Sequence, residues 1–128
     1  MTAPASDAPI LVVDDQRELR LLVRLTLLPL GKVEAVASID EALAYLAEKL
    51  PRLIVLDIWL GEGQSGLDLC RRIKAEHSAV KILLLSACGL QADVDIGMAA
   101  GADGYMVKPF SPKQLLATAQ ELLTSPDV

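Results

Sequence analysis

Five short apolar runs punctuate this chain, and their spacing limits the fold more than any other feature. They read "ILVV" (10–13), "VEAVA" (33–37), "LIVLD" (53–57), "KILLLS" (81–86) and "GYMVK" (104–108). Such runs are too short for ordinary helices, and strands that stay apolar along their whole length are those covered on both faces. Longer stretches with helical spacing lie between them. In the first, Leu19, Leu22, Val23 and Leu27 fall on one stripe, with Arg17, Arg20 and Arg24 largely away from it, and the pattern ends near Pro29 and Gly31. The second is expected to start at Ser38, where Glu41 completes a capping box, and to reach about Lys49 before Pro51 stops it. Leu67 to His77 and Gln91 to Ala100 make the third and fourth. Ser111 and Gln114 box the start of the last, with Pro112 in its first turn and Leu115, Leu116, Ala119, Leu122 and Leu123 as its buried stripe. A βα unit repeated five times predicts an α/β fold: a five-stranded parallel sheet, doubly wound, with five helices.

At 128 residues this is one domain, expected over 9–125 between a flexible tail at 1–8 and a short one at 126–128. No apolar run is long enough to cross a bilayer, so no membrane role is expected. A formal charge of −5 disfavours direct binding to nucleic acid or anionic lipid, which both need a dense Lys/Arg surface. Cys70 and Cys88 share no CxxC spacing and follow no secretory signal, so free thiols in a reduced cytoplasmic setting are expected.

Function in an open parallel sheet gathers outside the carboxyl ends of the strands. Here the first strand ends in Asp14 and Asp15, the third in Asp57, the fourth in Ser86 and the fifth in Lys108. Taken singly, an Asp can cap the following helix, Ser86 can form a turn, and Lys108 can lay its stem over the sheet edge. Together they give three carboxylates for a hard cation, a hydroxyl donor and an ammonium, which suits a Mg2+ site that receives a phosphoryl group.

The pieces "VVDD", "LIVLD", "LLLSA" and "GADGYMVKPF", in this order along five βα units, resemble the receiver domain of two-component response regulators over nearly the whole chain. The resemblance implies a flavodoxin-like sheet of order 2-1-3-4-5. It also implies that Asp57 takes a phosphoryl group from a phosphohistidine on a sensor histidine kinase or phosphotransfer protein. Mg2+ would bind Asp15 directly, Asp14 through water, and Asp57 and the carbonyl of Trp59. Lys108 and Ser86 would contact the phosphoryl group, and the amides of Trp59 and Ala87 would complete its cradle. Ser86 and Tyr105 would form the switch, with signal leaving through the fourth helix, fifth strand and fifth helix toward an unidentified output partner. The Lys108-Pro109 bond is expected to be cis, because Lys108 must turn back toward the site. Such a chain is a signalling domain rather than an enzyme, catalysing only its own phosphorylation and dephosphorylation.

Some features depart from the family. "IWLGEGQSG" has Gly61 where Pro is common and one residue more than usual before Gly66, which predicts an irregular loop. No Lys or Arg lies between Ser86 and Lys108, so the fourth helix lacks the basic partners used in salt-bridged dimers of DNA-binding relatives. Trp59 and Cys88 flank the expected path of the hydrolytic water and offer no group to orient it, so slow dephosphorylation is expected. His77 is given no role. A haloacid-dehalogenase-type phosphatase would need a D-x-D nucleophile motif that "VVDDQ" lacks, and a nucleotide site would need a glycine-rich loop where "DDQRELR" stands. The remaining alternative is a receiver-like scaffold that binds its partner without phosphorylation.

Overall fold

Each apolar run is a strand in the computed structural model, which describes residues 7–60, 65–87 and 89–124. The elements are β1 (Ile10–Val13), α1 (Arg17–Leu27), β2 (Val33–Val36), α2 (Ile39–Leu46), β3 (Leu53–Asp57), α3 (Gly66–Glu76), β4 (Lys81–Ser86), α4 (Gln91–Ala99), β5 (Gly104–Val107) and α5 (Pro112–Thr124). All pairings are parallel, in the order β2-β1-β3-β4-β5. The chain therefore changes direction across the sheet between β1 and β3, and in such sheets that switch point is where ligands bind.

Alternation along the strands builds two cores. Ile10, Val12, Leu53, Val55, Leu83 and Leu85 pack with Val23 and Leu27 of α1 and Leu115 and Ala119 of α5. Leu11, Val13, Ile54, Leu56, Ile82 and Leu84 pack with Ala42 of α2 and Leu69, Cys70 and Ile73 of α3. With both faces covered, β1 and β3 have no polar residue until their last position or the one beyond it. Cys70 is a free thiol, and burial pushes it up to about 11, so it remains protonated at neutral pH. Cys88 lies outside the described residues.

The helix starts follow their capping residues. Ser38 Oγ accepts from the Glu41 amide at 3.1 Å, and Ser111 and Gln114 exchange both bonds of a capping box at 3.0 and 3.3 Å. Ser65 Oγ accepts from the Leu67 amide, so α3 begins one residue before the expected Leu67.

The first helical stretch ends where expected: α1 runs to Leu27 and passes into a single 3-10 turn, Leu28–Leu30, closed by Gly31 at φ 136°. Three expectations need correction. Helix α2 stops at Leu46 rather than Lys49, and the chain goes on as a turn in which the Glu48 and Lys49 amides both bond to the Tyr45 carbonyl. Within α1, Leu22 is 41% exposed, while Arg20 and Arg24 bend back to the carbonyls of Asp14 and Val33. Residues 1–6 and 125–128 lie outside the described residues, but Ala8, assigned to the tail, is buried, and its carbonyl accepts from Arg52 Nε at 2.5 Å.

At the sheet end opposite the acidic residues, Lys74 of α3 donates to the carbonyls of Ser78 and Val80 and to Asp103 Oδ2, each within about 3 Å. The same Asp103 oxygen accepts from the Ile82 amide at 2.9 Å. One ammonium thus ties α3 to the starts of β4 and β5. Lys74→Met leaves a half-buried carboxylate and two carbonyls without that donor, and the expected cost is about 2 kcal/mol. Urea unfolding would read this as a lower midpoint at unchanged slope.

Candidate functional site

The carboxyl edge of the sheet is built by residues just beyond the strands that the ladder still holds. The Asp14 amide bonds to the Val36 carbonyl at 3.2 Å, the Ile58 amide to Leu85 at 3.0 Å, and the Lys108 amide to Ser86 at 2.8 Å. Asp14 is 1% exposed. Its Oδ1 accepts from the Gln16 amide at 2.9 Å, which folds the chain sharply into α1 and leaves Asp15 exposed beside it.

Asp57 closes β3 and is buried. Its Oδ1 accepts from the Trp59 amide at 3.2 Å, and its Oδ2 lies 3.1 Å from Lys108 Nζ. Gly66 packs against this backbone: its amide donates to the Ile58 carbonyl at 2.6 Å, and a Cβ at Gly66 would collide with the Asp57 carbonyl oxygen. Trp59 makes an isolated bridge with Ser65, while its side chain is 60% exposed. Gly61 and the three residues after it lie outside the described residues, so the expected irregularity of that loop is not addressed by them.

Lys108 follows β5, and its bond to Pro109 is cis, as expected. Ser86 is fully buried at the end of β4, with Ala87 exposed next to it. Tyr105 is half-buried on β5, and its ring lies so close to Gly97 of α4 that a Cβ there would sit about 3 Å from it. His77 caps the end of α3, away from these groups.

Ligand oxygens from Asp14, Asp15 and Asp57 all lie within 4.8 Å of one another. Burial raises the Asp14 acid above its ordinary value; the Gln16 amide and Lys108 oppose that, while Asp57 and Asp15 add to it. Asp14 Oδ2 is buried without a hydrogen bond, and Lys108 Nζ is 3.7 Å away. An all-oxygen set with one unsatisfied buried carboxylate oxygen fits a hard divalent cation. Of the expected site, the acidic trio and Lys108 meet directly. Ser86 and Ala87 stand at the same edge, and Tyr105 lies one strand over against α4.

The sequence reading missed three contacts: Arg20 on the Asp14 carbonyl, Gly66 against Asp57, and Gly97 under Tyr105. The Gly-Leu pair opening α3 was a legible signal for the second. The other two depend on the tertiary path of the chain.

An acid whose folded pKa exceeds its unfolded one binds more protons when folded, so its contribution to stability grows as pH falls and is lost as pH rises. In the metal-free protein Asp14 is therefore a liability at neutral pH. Asp14→Asn keeps the oxygen that accepts from Gln16 and removes the buried charge. It should raise the unfolding midpoint at pH 8 by about 1 kcal/mol, or roughly 4 °C, with a smaller gain at pH 5. Thermal melts in a chelator check this.

The model of the response regulator receiver domain matches residues 10–120. The chain is 40% identical over 117 residues to the phosphate regulon transcriptional regulatory protein PhoB of Rhizobium meliloti (strain 1021), covering 89% of this chain and 51% of that protein. It is 39% identical to the probable transcriptional regulator ycf27 of Cyanophora paradoxa, covering 89% of this chain and 47% of that one. It therefore spans about half the length of these two regulators. Among solved structures, the BeF3-activated DrrB receiver domain matches with a TM-score of 0.85 at 33% identity, covering 92% of this chain and 98% of that one. The chemotaxis response regulator CheY4 of Vibrio cholerae matches at 0.82 and 31%, covering 90% and 98%. No helix among the described residues is long and apolar enough to cross a membrane. The family match runs from the first residue of β1 into α5 and takes in every strand, so this chain belongs to the receiver domains of two-component response regulators.

Proposed function

We propose that Asp57 accepts a phosphoryl group from a phosphohistidine on a sensor histidine kinase or phosphotransfer protein, with Mg2+ bound by Asp14, Asp15, Asp57 and the Trp59 carbonyl. One observation carries this reading: Asp57 is buried yet held by the Trp59 amide and Lys108, beside an Asp14 oxygen that no hydrogen bond satisfies. A carboxylate oxygen of Asp57 forms the new O–P bond as the P–N bond of the donor breaks. The imidazole leaves with the bonding pair and takes up a proton. The chemistry supplied by bound Mg2+ is neutralisation of charge on the phosphoryl oxygens. Lys108, already 3.1 Å from Asp57 Oδ2, would pair with the transferred group, and Ser86 and the amides of Trp59 and Ala87 would hydrogen-bond to it.

Phosphorylation adds charge and acceptor oxygens at the end of β3. Ser86, drawn toward them, would let Tyr105 move inward between β4 and α4, and the change would reach a partner through α4, β5 and α5. That face exposes Leu90, Ile96, Met98 and Val107 with Asp95, and carries no Lys or Arg between Ser86 and Lys108. The chain acts as a cytoplasmic signalling domain, with catalysis confined to its own phosphorylation and dephosphorylation. Binding to DNA, if it belongs to this pathway, falls to another domain or partner.

Incubation with Mg2+ and acetyl phosphate should add one phosphoryl group, seen by intact mass, and Asp57→Asn should abolish it. An adduct of equal yield in Asp57→Asn, or no adduct in the unaltered chain, overturns the reading, and the latter would favour a scaffold. The Trp59 indole, two residues past the acceptor in the chain, is assigned to shield the phosphorus from water. Trp59→Asn, which offers an amide to orient water, should speed decay of the phosphorylated protein several-fold. An unchanged or slower decay excludes the shielding role.

A further inference from the structure

Arg20 stands outside every role assigned so far. It lies one turn into α1, half-buried, and its Nη1 donates to the Asp14 carbonyl at 2.9 Å. That carbonyl sits where the strand has ended and the helix has not yet begun. The Asp14 amide still belongs to the ladder, through Val36, and the Arg20 amide already belongs to the helix, through the Gln16 carbonyl at 2.9 Å. The turn between them is held on one side by the Gln16 amide on Asp14 Oδ1, and the Asp14 carbonyl is held by Arg20. No side chain caps the start of α1 at Gln16, so these two bonds are the side-chain restraints on the turn among the described residues.

We infer that Arg20 is a positioning residue for the metal site: its bond to the Asp14 carbonyl sets the orientation of the peptide that carries Asp15. This rests on the Mg2+-dependent reading above and deepens it. Geometry is the means, because the guanidinium bonds the Asp14 backbone carbonyl rather than its carboxylate. A guanidinium suits this role because it is always charged, its planar fork is preorganised, and its bond to a carbonyl is charge-assisted. Asp15 is exposed and takes its position from the backbone, so it is the ligand that loses most when that peptide is free to rotate. Partners that orient metal ligands without touching the ion are commonly worth 10- to 100-fold in affinity.

The test is a Mg2+ titration of the folded, unphosphorylated protein, read through the fluorescence of Trp59, the only tryptophan. Arg20→Met should weaken Mg2+ binding about tenfold or more, and Arg20→Lys, which keeps a charged donor of similar reach, should restore part of it. Arg24→Met is the control, since Arg24 is another α1 arginine whose guanidinium reaches a backbone carbonyl, that of Val33 at 3.4 Å, away from the acidic trio. It should leave Mg2+ affinity at the unaltered level. All titrations are run well below each variant's own unfolding midpoint, so that lost stability cannot imitate lost affinity. Equal Mg2+ affinity in Arg20→Met and the unaltered chain overturns the inference, as does equal loss in Arg24→Met. The Mg2+ reading itself fails in a different way: the unaltered chain would then show no saturable Mg2+ response.

Discussion

Three carboxylates crowd the end of a sheet whose interior offers them nothing. Two like charges about 4 Å apart repel by roughly 4 kcal/mol at an effective dielectric near 20, and burial adds its own penalty for Asp14. Every compensating partner must therefore come from the loops: the Gln16 amide for Asp14, the Trp59 amide for Asp57, and the ammonium of Lys108 shared between Asp57 and Asp14. One ammonium cannot balance three carboxylates. A dication at this edge would supply the missing charge and satisfy the Asp14 oxygen that stands without a hydrogen bond.

The same crowding ties the site to the far face of α4. Lys108 is held to β4 through its amide on the Ser86 carbonyl, which joins the end of β4 to the residue that follows β5. Two residues before the end of β5, Tyr105 lies over Gly97, where the missing side chain of α4 makes room for the ring. Packing of this kind has discrete arrangements rather than a continuous range, which is what a two-state element requires. The outer surface of α4 is apolar and acidic, so a partner there would be recognised by shape and by basic or apolar complement.

The elements were legible because each is overdetermined. An apolar run of this length has one use in an α/β chain, and Ser38 and Ser111 mark helix starts by chemistry that the structure reproduces. The acidic pair, Asp57 and Lys108 were legible because the carboxyl ends of parallel strands share one edge. What failed was finer. A helical stripe says which residues are near the core, but Val23 and Leu27 took the buried line while Leu22 went to the rim. The arginines of α1 read as lying away from the core, yet the stems of Arg20 and Arg24 are long enough to reach the carbonyl just past the end of β1 and the one at the start of β2. Ala8 read as tail because nothing in "APASDA" announces that Arg52, 44 residues later, will hold its carbonyl.

The ladder runs one residue past β1, β3 and β5, so Asp14, Ile58 and Lys108 inherit the rigidity of the sheet rather than of their loops. Asp57, as the last residue of β3, needs no such extension. Beyond that single residue the sheet's control ends, and Asp15 and the Trp59 side chain are both exposed. The edge thus has a fixed half, held by the sheet, and an open half that faces solvent. In the open half a residue keeps its place through side chains that return to its backbone. For the turn that carries Asp15 these are the Asp14 carboxylate on the Gln16 amide and Arg20 on the Asp14 carbonyl.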